Sequence, residues 1–288
     1  MKLPPFEYAC PATLSEAVSL LAAHNGDAKA IAGGQSLMPM LAFRMARPSL
    51  LVDLRKLSDL KGIRISDGGV RLGALTRWRD IEDDKRLTDA HPLLKAAILH
   101  VAHYQIRNRG TVGGSLAHAD PAAEMPGIAV TCDAEIAAMG KSGTRVIKAG
   151  GFFLGALTTA LEADEIITEV RLPVWPKGRR FAFQEFARRR GDFAMAGIAL
   201  FYDTDKAGKA SNAHVGVIGV GDRPQRLAAA EAALNGKTVD EATAVKVGEA
   251  AAAEVEPQHD IHASADYRRA LTGTLAERAL IQAAKNGD

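Results

Sequence analysis

Ala30-Ile31-Ala32-Gly33-Gly34-Gln35-Ser36-Leu37 is a short apolar strand that breaks into two glycines and then into small polar residues. Glycine tolerates positive φ and lets backbone amides approach an anion with no Cβ in the way. The turn is therefore either a phosphate loop or merely a tight turn. A third glycine at the dinucleotide-binding spacing is missing, which disfavours a Rossmann nucleotide fold.

Some eighty residues later, Arg107-Asn108-Arg109-Gly110-Thr111-Val112-Gly113-Gly114-Ser115 repeats that chemistry. Two separated loops of one type can clamp the phosphates of one pyrophosphate, with backbone amides and Ser and Thr hydroxyls as donors. His118-Ala119-Asp120-Pro121-Ala122-Ala123-Glu124 follows directly. Carboxylates repel phosphate but accept from sugar hydroxyls, so Asp120 and Glu124 belong along a ribose or ribityl chain. His118 reads as a packed, hydrogen-bonded histidine ahead of a catalytic one.

Around these loops the pattern alternates between helix and strand. Thr13-Leu14-Ser15-Glu16 is a capping-box helix start running to Asn25-Gly26. Strands are expected at 28–32 and 50–54, a helix at 36–45, and a hairpin at 63–66 and 70–74 about Asp67-Gly68-Gly69. Helices at 78–83 and 93–102 come next, then strands at 128–132, 134–139, 145–148 and 165–172. Pro173-Val174-Trp175-Pro176 stiffens the chain there and marks a domain boundary. Beyond it lie strands at 181–186, 194–202 and 213–220 and Ala-rich helices at 225–234, 240–253 and 266–284. Gly216 to Gly221 reads as the end of a strand and a turn, not a nucleotide loop.

Composition narrows the function classes. At 288 residues and 47% hydrophobic, the chain can bury more than one core. Thirty-six basic against 34 acidic residues, a net charge of +2, give no electrostatic reason to expect nucleic acid. The longest apolar stretches, 197–202 and 215–220, fall far short of the roughly 20 residues that span a bilayer. The first ten residues lack the basic and then apolar run of a secretory signal, so a cytoplasmic location is expected. Cys10 and Cys132 stand alone, without iron–sulfur or zinc spacing. His259 and His262 have no third ligand, and Pro257 argues for a loop, so no metal site is expected. No Gly-x-Ser-x-Gly elbow and no Cys–His pairing point to nucleophilic catalysis, and Asp83-Asp84 reads as surface. The basic run Arg188-Arg189-Arg190, near Arg179-Arg180, faces a phosphate or acidic partner, or is a solvated strand end.

Taken together, Ala32-Gly33-Gly34-Gln35-Ser36, Thr111-Val112-Gly113-Gly114-Ser115, Ala119-Asp120-Pro121 and Glu124 resemble the FAD-binding (medium) subunits of the molybdenum hydroxylase / xanthine dehydrogenase family. The medium subunits of carbon monoxide dehydrogenase and quinoline 2-oxidoreductase belong to that group. The resemblance runs on through Glu165-Ile166-Ile167, Arg189-Arg190-Gly191-Asp192-Phe193-Ala194, Asp260-Ile261-His262 and Tyr267-Arg268-Arg269. It implies that Ala32 to Ser36 and Thr111, Gly113, Gly114 and Ser115 cradle the FAD pyrophosphate. Glu124, with Asp120 beside it, then meets the sugar-alcohol or adenosine portion, and Val101 and Ile167 flank a ring system. Gln184 stands where the xanthine dehydrogenase pattern has a Lys near the flavin, which disfavours NAD as acceptor. Gln35, with Val101-Ala102-His103 and the 107–110 stretch, is more like the quinoline enzyme than the carbon monoxide enzyme.

The expected fold class is α+β: a two-lobed FAD-binding domain of the vanillyl-alcohol-oxidase/PCMH type at 1–176, with lobes at about 1–57 and 58–176, then a C-terminal domain at 177–288 with an antiparallel sheet and helices on one face. The resemblance implies an electron-transfer subunit of a heterotrimeric molybdenum hydroxylase, with no catalytic residue of its own. Molybdopterin is expected on a large partner subunit and [2Fe-2S] clusters on a small one, the whole forming a dimer of heterotrimers. The alternatives are a non-redox module that binds nucleotide phosphate and a self-sufficient FAD oxidoreductase.

Overall fold

The computed structural model describes residues 2–286 and shows an α+β chain built on three main sheets. In the first, β1 (Glu7–Ala9), β2 (Ala28–Ile31) and β3 (Leu50–Asp53) run parallel, with β3 central and buried along its whole length. A parallel centre covered on both faces explains why residues 50–52 are uniformly apolar. Helix α1 (Leu14–Ala23) packs Ala17, Val18 and Leu21 into this lobe. The Thr13 hydroxyl accepts from the Glu16 amide at 3.2 Å, but the Glu16 carboxylate takes the Ala12 amide instead of that of Thr13. Helix α2 (Leu37–Ala42) is shorter than expected, because Arg44 turns to φ +59° just after it.

The second sheet is antiparallel. It contains β4 (Ile63–Ser66), β5 (Gly69–Gly73), β6 (Glu135–Gly140), β7 (Gly143–Lys148) and, after a small ribbon of β8 (Phe153–Gly155) and β9 (Thr158–Thr159), β10 (Ile166–Leu172). Their spatial order is β4-β5-β10-β6-β7. Six short helices fill the crossing from β5 to β6: α3 (Trp78–Asp83), α4 (Leu87–Ala90), α5 (Pro92–Ile98), α6 (Tyr104–Arg107), α7 (Val112–His118) and α8 (Glu124–Thr131). Helix α5 stops at Ile98, short of the expected end, where the chain tightens through the His100 amide to the Ala97 carbonyl and the Val101 amide to the Ile98 carbonyl. Ala102 then turns to φ +38°, and the Arg107 guanidinium clasps that bend through the Val101 and Ala102 carbonyls. The expected strand at 128–132 is instead part of α8. Its residues from Met125 to Thr131 are all buried, so no polar face exists to reveal a helical period.

The third sheet runs β11 (Arg180–Phe186), β12 (Ala196–Thr204), β13 (Ala210–Ile218), β14 (Gln225–Arg226), in sequence order and antiparallel. Helices α9 (Ala228–Leu234), α10 (Glu241–Glu254) and α11 (Ala265–Lys285) cover one face. Strand alternation separates two cores: Ala182, Ile198, Leu200, Val215 and Val217 join the helices, while Phe183, Ala199, Phe201 and Ile218 join Leu94, Ile98 and Ile128 of the preceding lobe. Helix α8 lies on that second face so closely that a Cβ on Gly216 would collide with Thr131. The 173–176 stretch is pinned: the Trp175 ring sits 4.8 Å from His91, 5.8 Å from Phe181 and 5.4 Å from Phe201.

Candidate cofactor site

A cavity of about 1200 Å³ opens where the loop after β2, helix α7, the start of α8 and the loops of the third sheet converge. It exceeds the roughly 300–1,000 Å³ of ordinary small-molecule pockets, leaving room for a dinucleotide. Ala32, Gly33, Gly34, Gln35 and Ser36 line one wall, and Thr111, Gly113, Gly114 and Ser115 face them. Asp120, Glu124, Val101 and Ile167 complete the set singled out in the sequence.

In the first loop the Gln35 side-chain amide donates to the Gly33 carbonyl at 2.9 Å, while Gly34 takes φ +71°. The backbone amides of Gly33, Gly34, Gln35 and Ser36 then have no acceptor among the described residues. A row of unmet donors on a cavity wall is what an anion with several oxygens satisfies. The pyrophosphate of a dinucleotide fits that chemistry.

The second loop differs from expectation. Gly113 and Gly114 lie inside α7, not in an open turn, and their amides are spent: Gly113 donates to the Ala74 carbonyl at 2.8 Å and Gly114 to the Thr111 hydroxyl at 3.2 Å. What this side retains for a ligand is the Ser115 hydroxyl, the Thr111 hydroxyl proton and a wall without side chains. A Cβ added at Gly114 would stand 3.9 Å from that of Ala32, and one at Gly33 would run into the Arg109 carbonyl. The two lobes therefore meet at these glycines.

Elsewhere on the cavity wall, one Asp120 oxygen accepts from the Ala122 amide at 2.9 Å, leaving the other for a ligand. Glu124 opens α8, and the hydrogen bond acting on its carboxyl comes from its own backbone amide. Burial, with the Asp120 charge adding to it, pushes that carboxyl up to about 7, so near neutral pH it offers a donor or an acceptor to a sugar hydroxyl. His118 also lines the cavity, and burial lowers its pKa, keeping it neutral. Val101 and Ile167 are buried apolar side chains that exclude water from their stretch of wall.

The remaining wall was not assigned from the sequence. Arg188, Phe193, Gly219 and Asp222 from the third sheet's loops, and His259, Asp260 and Arg268 from the segment around the start of α11, all line the cavity. Only their place in the resembling stretches had marked 189–194, 260–262 and 267–269. Gln184, by contrast, is not part of the lining: its amide bonds Gln282 on α11. The structure therefore removes the argument about the electron acceptor that rested on it. His259 and His262 both reach the cavity, and among the described residues no group of three His, Cys, Asp or Glu is placed to hold a metal. Arg179 leaves the basic run altogether, paired with Asp203 at 2.8 Å and stacked over Phe201. No described helix is long and apolar enough to cross a membrane.

Comparison with known proteins agrees with this architecture. The family described as "FAD binding domain in molybdopterin dehydrogenase" matches residues 4–175, and "CO dehydrogenase flavoprotein C-terminal domain" matches residues 181–283. The 6-hydroxypseudooxynicotine dehydrogenase complex subunit alpha of Paenarthrobacter nicotinovorans is 41% identical over 283 residues, covering 98% of this chain and 96% of that one. Among solved structures, carbon monoxide dehydrogenase from Hydrogenophaga pseudoflava superposes with a TM-score of 0.96 at 37% identity, covering 100% of both chains. Quinoline 2-oxidoreductase from Pseudomonas putida 86 gives a TM-score of 0.95 at 39% identity, covering 100% of this chain and 99% of that one. The chain belongs to the FAD-binding medium subunits of the molybdenum hydroxylases: its cofactor is FAD, and it is the electron-transfer component of a multi-subunit oxidoreductase.

Proposed function

We propose that FAD lies in the cleft between the two lobes, its pyrophosphate held by the amides of residues 33–36 from one side and by the Ser115 and Thr111 hydroxyls from the other. The four unmet amides on a cavity wall carry this reading. Glu124 and the free Asp120 oxygen meet sugar hydroxyls, and Val101 and Ile167 border the ring system and keep water from it. Bound flavin supplies the redox chemistry, a relay from iron–sulfur clusters on a partner subunit to an external acceptor. The chain's own residues bind, orient and desolvate it.

On the same reading the chain works in the cytoplasm between a large molybdopterin subunit and a small iron–sulfur subunit, the heterotrimer occurring twice. The substrate class we favour is an N-heterocycle or a related nitrogen compound, oxidised on the partner chain. That choice is supported by Gln35 and by relatives named for quinoline and for 6-hydroxypseudooxynicotine.

Gly33→Ala tests the cleft. Its methyl must displace the Arg109 backbone, so flavin retained after desalting should fall on the order of tenfold, with sheet content by circular dichroism preserved. Unchanged flavin content in the folded variant overturns the placement.

A further inference from the structure

The cavity wall that comes from the C-terminal half is assembled from three segments far apart in the chain: 188–195, 219–222 and 258–262. One buried side chain joins them. Arg268, in the first turns of α11 with its side chain only 8% exposed, donates through Nη1 to the Met195 carbonyl and to the Gly219 carbonyl, each at 2.7 Å. Through Nη2 it donates to Asp260 at 2.7 Å. Met195, Gly219 and Asp260 all line the cavity, as Arg268 itself does.

Each acceptor is fixed from its other side. The Met195 amide returns to the Phe186 carbonyl at 2.8 Å, closing the loop between β11 and β12. Gly219, at φ +78°, approaches Ala194 so closely that a Cβ would stand 2.6 Å from its carbonyl oxygen, and its amide donates to the Pro121 carbonyl next to Asp120. Asp260 takes the His262 and Ala263 amides at 2.8 and 3.0 Å, which shapes its own segment. Within the loop between β11 and β12, a Cβ on Gly191 would run into the Ala102 carbonyl and the His103 ring. The wall that Arg268 gathers is thus contiguous with Val101.

We propose that Arg268 is a positioning residue for the flavin: a planar guanidinium whose three bonds set the C-terminal wall against the ring-binding end of the cleft. This rests on the placement of FAD proposed above. The planar fork matters, because an ammonium on a flexible stem cannot hold three acceptors in fixed directions. Loss of the side chain would free two buried carbonyls and release Asp260, so the wall loosens even where the sheet beneath it stands.

The test uses the full chain, loaded with FAD, in wild type and in Arg268→Met, Arg268→Lys and Asp260→Asn. Arg179→Met serves as a control for general loosening, since Arg179 pairs with Asp203 away from the cavity. The readouts are the FAD dissociation constant, the visible circular dichroism of bound flavin and its midpoint potential. Arg268→Met is expected to weaken FAD binding on the order of tenfold and to alter the flavin dichroism and potential. Asp260→Asn, losing one contact of three, should change them less. Arg268→Lys should restore thermal stability without restoring the flavin signature, and Arg179→Met should lower stability with the signature intact. If the Met variant does not fold, the Lys and Asn variants decide alone. Wild-type affinity, dichroism and potential in the folded Arg268 variants overturn the proposal, whereas a wild-type chain that takes up no FAD overturns the underlying placement.

Discussion

Gly33 and Gly34 look alike in the sequence, yet the fold requires each for its own reason. Gly34 carries a positive φ that strains any side chain, and Gly33 lies where the opposite lobe's backbone presses in. The first need is visible in a two-residue turn; the second depends on a segment some eighty residues away. A second residue-scale feature was wholly hidden. Glu185 lies on the β11 face that packs against the N-terminal lobes, with a buried carboxyl oxygen lacking any partner among the described residues. Burial, reinforced by the Glu124 charge, pushes its pKa up to about 9 from an ordinary 4.5. The folded chain then keeps a proton that the unfolded chain releases, so the stabilisation is complete below about 4.5 and is lost as pH rises toward 9. Between those limits the slope approaches about 1.4 kcal/mol per pH unit. Glu185→Gln should flatten that dependence and raise the urea midpoint at pH 8 relative to wild type. Equal slopes for the two proteins between pH 5 and pH 8 would count against the buried proton.

Elements with one wet face showed their period, whereas a run buried on all sides shows none, so short ones such as β3 were rightly read as strands and a helix of that kind was not. The β4–β5 hairpin and α1, α10 and α11 were read close to their observed bounds, because polar and apolar positions alternate at the period of each. Helix α8 offered seven consecutive buried residues, several of them β-branched, and read as a strand. Helix α7 was read as a loop because its first turn holds two glycines. Their need is close packing: a Cβ on Gly113 would stand 2.6 Å from that of Ala74. Both glycine stretches picked out by residue type therefore line one cavity, while the backbone geometry of the second was misjudged. The C-terminal wall, made by three distant segments, left no local pattern. Since α7 is too glycine-rich to persist on propensity, its cap matters. Thr111→Ala should cost about 1 kcal/mol in denaturant unfolding and lower FAD affinity, while Thr111→Ser should retain both. Identical unfolding curves for Ala and Ser would show that the cap is dispensable.

Across the whole molecule, one apolar core joins the second sheet, α5, α8 and the inner face of the third sheet. The His100 ring packs 5.0 Å from Phe183, and α8 touches the sheet through glycine. The C-terminal half therefore cannot lift away without exposing that core, and the cavity takes walls from both halves. Calorimetry of the apo chain should show one cooperative transition, and a fragment ending at residue 176 should bind hydrophobic dye; two well-separated transitions would contradict a shared core. The placement of the cofactor meets its sharpest test in hydrogen exchange of the chain with and without FAD. The amides of Gly33, Gly34, Gln35 and Ser36, unpartnered in the protein alone, should exchange quickly there and become protected when FAD is added. FAD bound with no change in exchange at those four amides would contradict the placement.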